Sequence, residues 1–129
     1  MPETYDIVLS SPFHNYDFFA HRMRELCGQM GLTFFMVDDV WVNEFSQKLQ
    51  AGQVGVRVMY DLTANQSIET DPYTKLAKEV KRQRGHVIDD PDVTAAMAHK
   101  AHFHKLLLQN NIPVPETVIV NRSELNPFK

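Results

Sequence analysis

The chain has 129 residues, of which 43% are hydrophobic and 22% charged, with 7 Pro, 5 Gly and 1 Cys. A chain of this length buries roughly two-thirds of its unfolded surface, enough for one core without disulfides or metal and too little for a second independent domain. The net charge of -3 gives no reason to expect nucleic acid or an anionic membrane as partner, and the lone Cys27 excludes an intramolecular disulfide and a thiolate zinc cluster, which suits a reducing, cytoplasmic setting.

The N-terminus carries acidic residues and only a short apolar run, so it has neither the basic nor the apolar region of a signal peptide. Tyr5 to Leu9 reads as a first buried strand, stopped by Ser10, Ser11 and Pro12. Phe19, Met23, Leu26 and Met30 then recur at helical spacing and predict an amphipathic helix that Gly31 ends. Thr33 to Val37 is a second strand. Trp41, Phe45 and Leu49 share a face of a second helix, and Gly52 and Gly55 bracket the turn into a third strand, Val56 to Tyr60. The polar stretch Asp61 to Thr70 reads as a loop.

Asp71 and Pro72 form a helix start, an Asx cap followed by Pro in the first turn, and this third helix runs to about Arg84, where Gly85 stops it. Its cations Lys75, Lys78, Lys81, Arg82 and Arg84 are read as a solvated helix face rather than an anion site. A short strand follows at His86 to Ile88. A last helix is expected from about Asp92 to Gln109, burying Phe103, Leu106 and Leu107 until Asn110, Asn111 and Pro113 end it. Val118 to Val120 is the final strand expected. Strand-length apolar runs alternating with helical segments predict an α/β fold of three layers, with a mostly parallel sheet of four or five strands and Rossmann-like order. No internal repeat or linker interrupts it, and the glycines are too scattered for either Gly-rich phosphate loop.

The densest set of motifs lies in the last third: Val87 to Pro91, then Lys100 on a helix, then the pair Leu106 and Leu107, then Ile112 to Thr117 (IPVPET). In order and spacing this resembles the entrance to the ATP-grasp ligases, and the preceding strands and helices match what their pre-ATP-grasp domain would show. His99 stands where that pattern usually has Asp, and Asn111 where it has Gly. The resemblance implies that residues 1–121 form a pre-ATP-grasp domain, with 122–129 the start of a following segment. It implies a parent enzyme that activates a carboxylate as an acylphosphate, with ATP and Mg²⁺ as cofactors and the other lobes of the ligase as partners.

By the same resemblance Lys100 reaches the ATP phosphates, for which an ammonium on a flexible stem is a good point-charge partner. The adenine pocket, second lysine and metal-holding carboxylates of the family would lie after IPVPET, so this chain by itself is expected to bind no cofactor and to hold no catalytic residue. The turn after the first strand, with Ser10, Ser11 and His14, is the expected substrate-binding edge for a small carboxylate or amine, because ligands sit outside the carboxyl ends of strands in open parallel sheets. A plain capped turn is the competing reading.

Asp38, Asp39, Asp89 and Asp90 follow strand ends, where they could hold a cation or ribose or serve as turn caps. His99, His102 and His104 lack metal-ligand spacing, so no metal site is assigned. Cys27 is expected buried and inert. The rival to the ligase reading is a free-standing Rossmann-like or flavodoxin-like ligand-binding or regulatory module. A homodimer is one way for a fragment to cover apolar residues near Val118 to Phe128, which a complete module would bury within one chain.

Overall fold

The strand β1 (Glu3–Ser10) opens the chain. It is followed by α1 (Phe18–Gln29), β2 (Phe34–Val37), α2 (Val42–Gln50), β3 (Val54–Asp61), α3 (Pro72–Arg82), β4 (His86–Ile88), α4 (Pro91–Met97) and α5 (Lys100–Gln109). This computed structural model describes residues 2–11, 18–65 and 68–120. Two compact units are present, Met1–Ala95 and Ala96–Lys129.

The first unit is built on a four-stranded sheet in the order β2-β1-β3-β4, and every pairing is parallel. This is the α/β, Rossmann-like architecture expected from the alternation of strand and helix. The chain steps from β1 outward to β2, then returns across β1 to β3, so the order reverses between β1 and β3 and leaves a crevice at their carboxyl ends. Ser10 stands opposite Val37 on one side and Asp61 on the other. The last residue of β3 is therefore brought to the last residue of β1.

Two apolar clusters sandwich the sheet. The larger joins Val8, Met59 and Val87 to Phe45 and Leu49 of α2 and to Leu76 and Val80 of α3. The smaller joins Leu9 and Met36 to Ala20 of α1, with Phe34 and Tyr60 against it. On α3 the buried positions Tyr73, Leu76, Ala77 and Val80 follow the three-and-four spacing of an amphipathic helix, and each fully buried Leu or Val contributes about 1.5–3 kcal/mol. Asp71 caps α3 as expected, its carboxylate accepting from Thr74 N at 2.7 Å, with Pro72 in the first turn.

Several sequence expectations are corrected. On α1 the buried residues are Ala20 and Cys27, while Phe19 and Leu26 are exposed and Met30 is 71% exposed, so the inward face is turned from the expected stripe toward small residues that let the helix lie close to the sheet. The expected last helix is two, α4 and α5, separated at Ala98 and His99. α5 buries no residue fully, and Phe103 and Leu107 are only partly covered. Residues 118–120 form no strand. The tail from 121 lies outside the described residues.

The end of α3 has a different cause from the one read in the sequence. Arg84 takes the left-handed turn, at φ 67, and Gly85 is required by close approach: a Cβ there would meet Val80 Cγ1 at 2.5 Å and the carbonyl oxygen of Val56 at 2.6 Å. At Gly31 a glycine is present for its backbone, at φ 68, in the place expected for the end of α1. Two of the cations of α3 are paired within the unit: Lys81 Nζ contacts Asp90 at 2.8 Å and also pairs with Asp92, and Arg82 pairs with Glu79 at 2.6 Å.

Candidate functional site at the carboxyl ends of the strands

Each strand delivers polar residues to the same edge of the sheet. β1 ends in Ser10 and is followed by Ser11, β2 is followed by Asp38 and Asp39, β3 ends in Asp61, and β4 is followed by Asp89 and Asp90. At the crevice between β1 and β3 the Ser10 hydroxyl donates to Asp61 Oδ1 at 2.7 Å and accepts from Leu62 N at 3.2 Å. The same Asp61 oxygen accepts from Thr63 N at 3.1 Å and Ala64 N at 3.0 Å. Asp61 thus winds the chain leaving β3 into an Asx-type turn and ties it to β1.

The other carboxylate oxygen is the notable one. Asp61 is 5% exposed, yet its Oδ2 has no hydrogen-bond partner, and it shares that condition with Thr63 Oγ1 and Thr74 Oγ1 among the described residues. All three atoms belong to the segment that leaves β3 and enters α3. Leaving a buried acceptor unmade costs about 1–3 kcal/mol, more if charged, so such atoms rarely occur without a use. Of the three, Asp61 stands opposite Ser10 at the topological switch point, where open parallel sheets hold ligands.

Asp38, Asp39 and Asp90 have assigned contacts. Asp38 Oδ1 accepts from Val40 N at 2.9 Å and Trp41 N at 3.2 Å, closing a turn ahead of α2. Asp39 accepts from the Tyr73 hydroxyl at 2.5 Å; burial, and then this carboxylate, push the Tyr73 pKa well above that of an ordinary phenol. Asp90 caps α4 by accepting from Asp92 N at 2.9 Å, and its carboxyl is held below the usual range, first by Lys81. Asp89 sits at φ 62 in the turn after β4. The edge is consequently rich in carboxylates.

Of the residues singled out from sequence, Ser10 and Ser11 are buried at this edge. Ser10 directs its proton to Asp61, and Ser11 N donates to Val37 O at 3.0 Å. His14 lies outside the described residues. Lys100 belongs to the second unit, where it opens α5 as an exposed residue; His99 caps that helix, its Nδ1 accepting from His102 N at 3.3 Å. Cys27 is buried, and burial raises its thiol pKa. No group of three or more His, Cys, Asp or Glu that could hold a metal ion occurs among the described residues.

Asp61, Thr63 and Thr74 were not candidates in the sequence. A carboxylate as the last residue of an apolar strand was the available signal, but its pairing with Ser10, 51 positions away, is a product of the fold. No helix among the described residues is long and apolar enough to cross a membrane. No protein-family model matches the chain, and no curated protein or solved structure is similar to it.

Proposed function

We propose that this chain is the substrate-side, pre-ATP-grasp portion of an ATP-dependent, carboxylate-activating ligase, working in the cytoplasm, and that its carboxyl edge receives a protonated amine of the acceptor substrate. The observation that carries the second part is the buried Asp61 Oδ2 without a donor, in a segment whose Thr63 and Thr74 hydroxyls share that condition. An ammonium supplies the several donors such oxygens lack, and the surrounding acids favour a cation over a phosphate. The first part rests on the motif order from Val87 to Thr117. It is supported by Asn111, which stands at the glycine position of that pattern and adopts φ 55, the left-handed backbone for which glycine is used.

On this reading Lys100, an exposed residue of α5, is one phosphate contact, and phosphoryl transfer needs in addition metal ions bridging the phosphates and further cationic stabilisation. The nucleotide lobes then come from the remainder of the ligase. This unit orients the acceptor: Asp61 would hold the ammonium, with Ser10 fixing the carboxylate from behind.

The complete gene product tests the proposal. It should release ADP only when both a carboxylate and an amine-bearing acceptor are supplied, Lys100→Met should raise the KM for ATP, and Asp61→Asn should raise the KM for the acceptor. An open frame that stops at residue 129, or ADP release indifferent to any acceptor, would refute it. A free-standing ligand-binding module is the second reading. It is favoured by one observation, that Met1–Ala95 encloses its own core with Leu9, Leu49, Met59 and Leu76 completely buried.

A further inference from the structure

A second concavity lies on the α2 side of the sheet, toward the amino ends of β1 and β3, away from the edge just described. It encloses about 350 Å³, at the lower end of the range of small-molecule sites. β2 spans four residues against eight for β1, so the first residues of β1 have no β2 neighbour and form a shelf under α2. Tyr5, Phe35 and Phe45 form a contiguous aromatic wall there. Phe35 and Phe45 are stacked with centroids 5.0 Å apart, and Tyr5 lies 5.2 Å from the first and 6.0 Å from the second.

Trp41 adds a further side, and at 46% exposed it is a large amphipathic ring left half uncovered beside a pocket. The charges that line the space are Glu3, Glu44 and Lys48. Lys48 lies 2.6 Å from Glu44 and also feels the charge of the exposed Glu3, so one cation faces two carboxylates and the lining keeps a net negative charge. Glu3 lies beside the Tyr5 hydroxyl, whose pKa is raised by burial and then by Glu3.

We infer that this pocket binds a small organic cation, a methylated or aryl ammonium, seated against the aromatic wall and Trp41 with its charge facing Glu3. Ring faces are electronegative and attract such cations within about 6 Å, more strongly when the site is partly desolvated. A net negative lining favours an organic cation over an organic anion. A neutral apolar ligand would gain from the walls alone, so the contribution of charge is what separates the two classes.

Trp41 is the only tryptophan in the chain, and its emission reports occupancy directly. The 129-residue chain is titrated with phenyltrimethylammonium and with its uncharged isostere tert-butylbenzene. The cation should shift Trp41 emission saturably and bind about tenfold more tightly than the isostere. Glu3→Gln, an exposed change checked by circular dichroism, should remove most of that advantage, whereas Asp61→Asn should leave it unchanged. Equal affinity for both probes, or no saturable shift with the cation, overturns the inference. So does Trp41 emission that changes with protein concentration alone, because a second copy of the chain would then be the occupant.

Discussion

Replacing Asp61 by Asn and, separately, by Ala separates what this carboxylate does for the fold from what it offers a ligand. Alanine strips an acceptor from three donors at once: the Ser10 hydroxyl, Thr63 N and Ala64 N. A buried donor left unmade costs about 1–3 kcal/mol. The hydroxyl can turn elsewhere and the two amides belong to half-buried residues, so a total near 3 kcal/mol is expected rather than the upper sum. Asparagine keeps the oxygen that accepts all three bonds and replaces only the unpartnered one. It weakens those bonds by removing their charge assistance, and it also removes the desolvation cost of the charge. The two effects oppose each other, and Asp61→Asn should lie within about 1 kcal/mol of the parent. Urea unfolding followed by Trp41 emission reads both variants; with a slope of about 2 kcal/mol/M, Ala lowers the midpoint by about 1.5 M and Asn by less than about 0.5 M. An Asn variant as unstable as Ala would mean that the fold itself holds the charge on Oδ2, and the case for a ligand there would fail.

Further outcomes are expected elsewhere in the first unit. Gly85→Ala should cost about 2–3 kcal/mol, because the added carbon meets a backbone carbonyl at 2.6 Å. Gly28→Ala, in the last turn of α1 with nothing within 4 Å of the new carbon, should stabilise by up to about 0.5 kcal/mol, and thermal melts of the pair should move in opposite directions. Tyr73 holds its proton more tightly when folded, so its contribution is complete below the unfolded-state pKa of about 10 and is lost as pH rises beyond it. Tyr73→Phe should therefore flatten the fall in stability above about pH 10, at a cost of about 1 kcal/mol at neutral pH, and identical alkaline limbs would refute that. Cys27, buried with a raised pKa, should react with a disulfide reagent only as fast as the chain opens, so its rate should rise with urea.

What the sequence made legible is the periodic part of the molecule. β4 is where its apolar run placed it, α3 starts at the Asp-Pro cap, and the parallel sheet follows from strands alternating with helices. The orientation of α1 was misread because period alone selects the most hydrophobic stripe. Ala20 and Cys27 face inward instead, being small enough for close helix-to-sheet contact, while Phe19 and Met30 stay outside. Gly85 was legible as a break but not in its cause, which depends on where Val56 O sits. The carboxyl edge was half legible: its position follows from the fold class, and Ser10 and Ser11 from the end of β1. Asp61 was hidden in a polar stretch because its importance comes from long-range pairing and an orphaned oxygen, neither of which leaves a local trace.

The strand order also sets a timetable for the growing chain. β1 is made first, yet its register with β3 joins residues 51 positions apart, as at Ser10 and Asp61. At about 5–20 residues per second, the ribosome takes roughly 3–10 s to deliver that second partner. Until then the most apolar part of β1, Ile7 to Leu9, can be shielded only by α1, by α2 and by β2, the shorter of its two sheet neighbours. The central ladder closes late, and this interval is when the chain is most exposed to mispairing with another copy or capture by a chaperone.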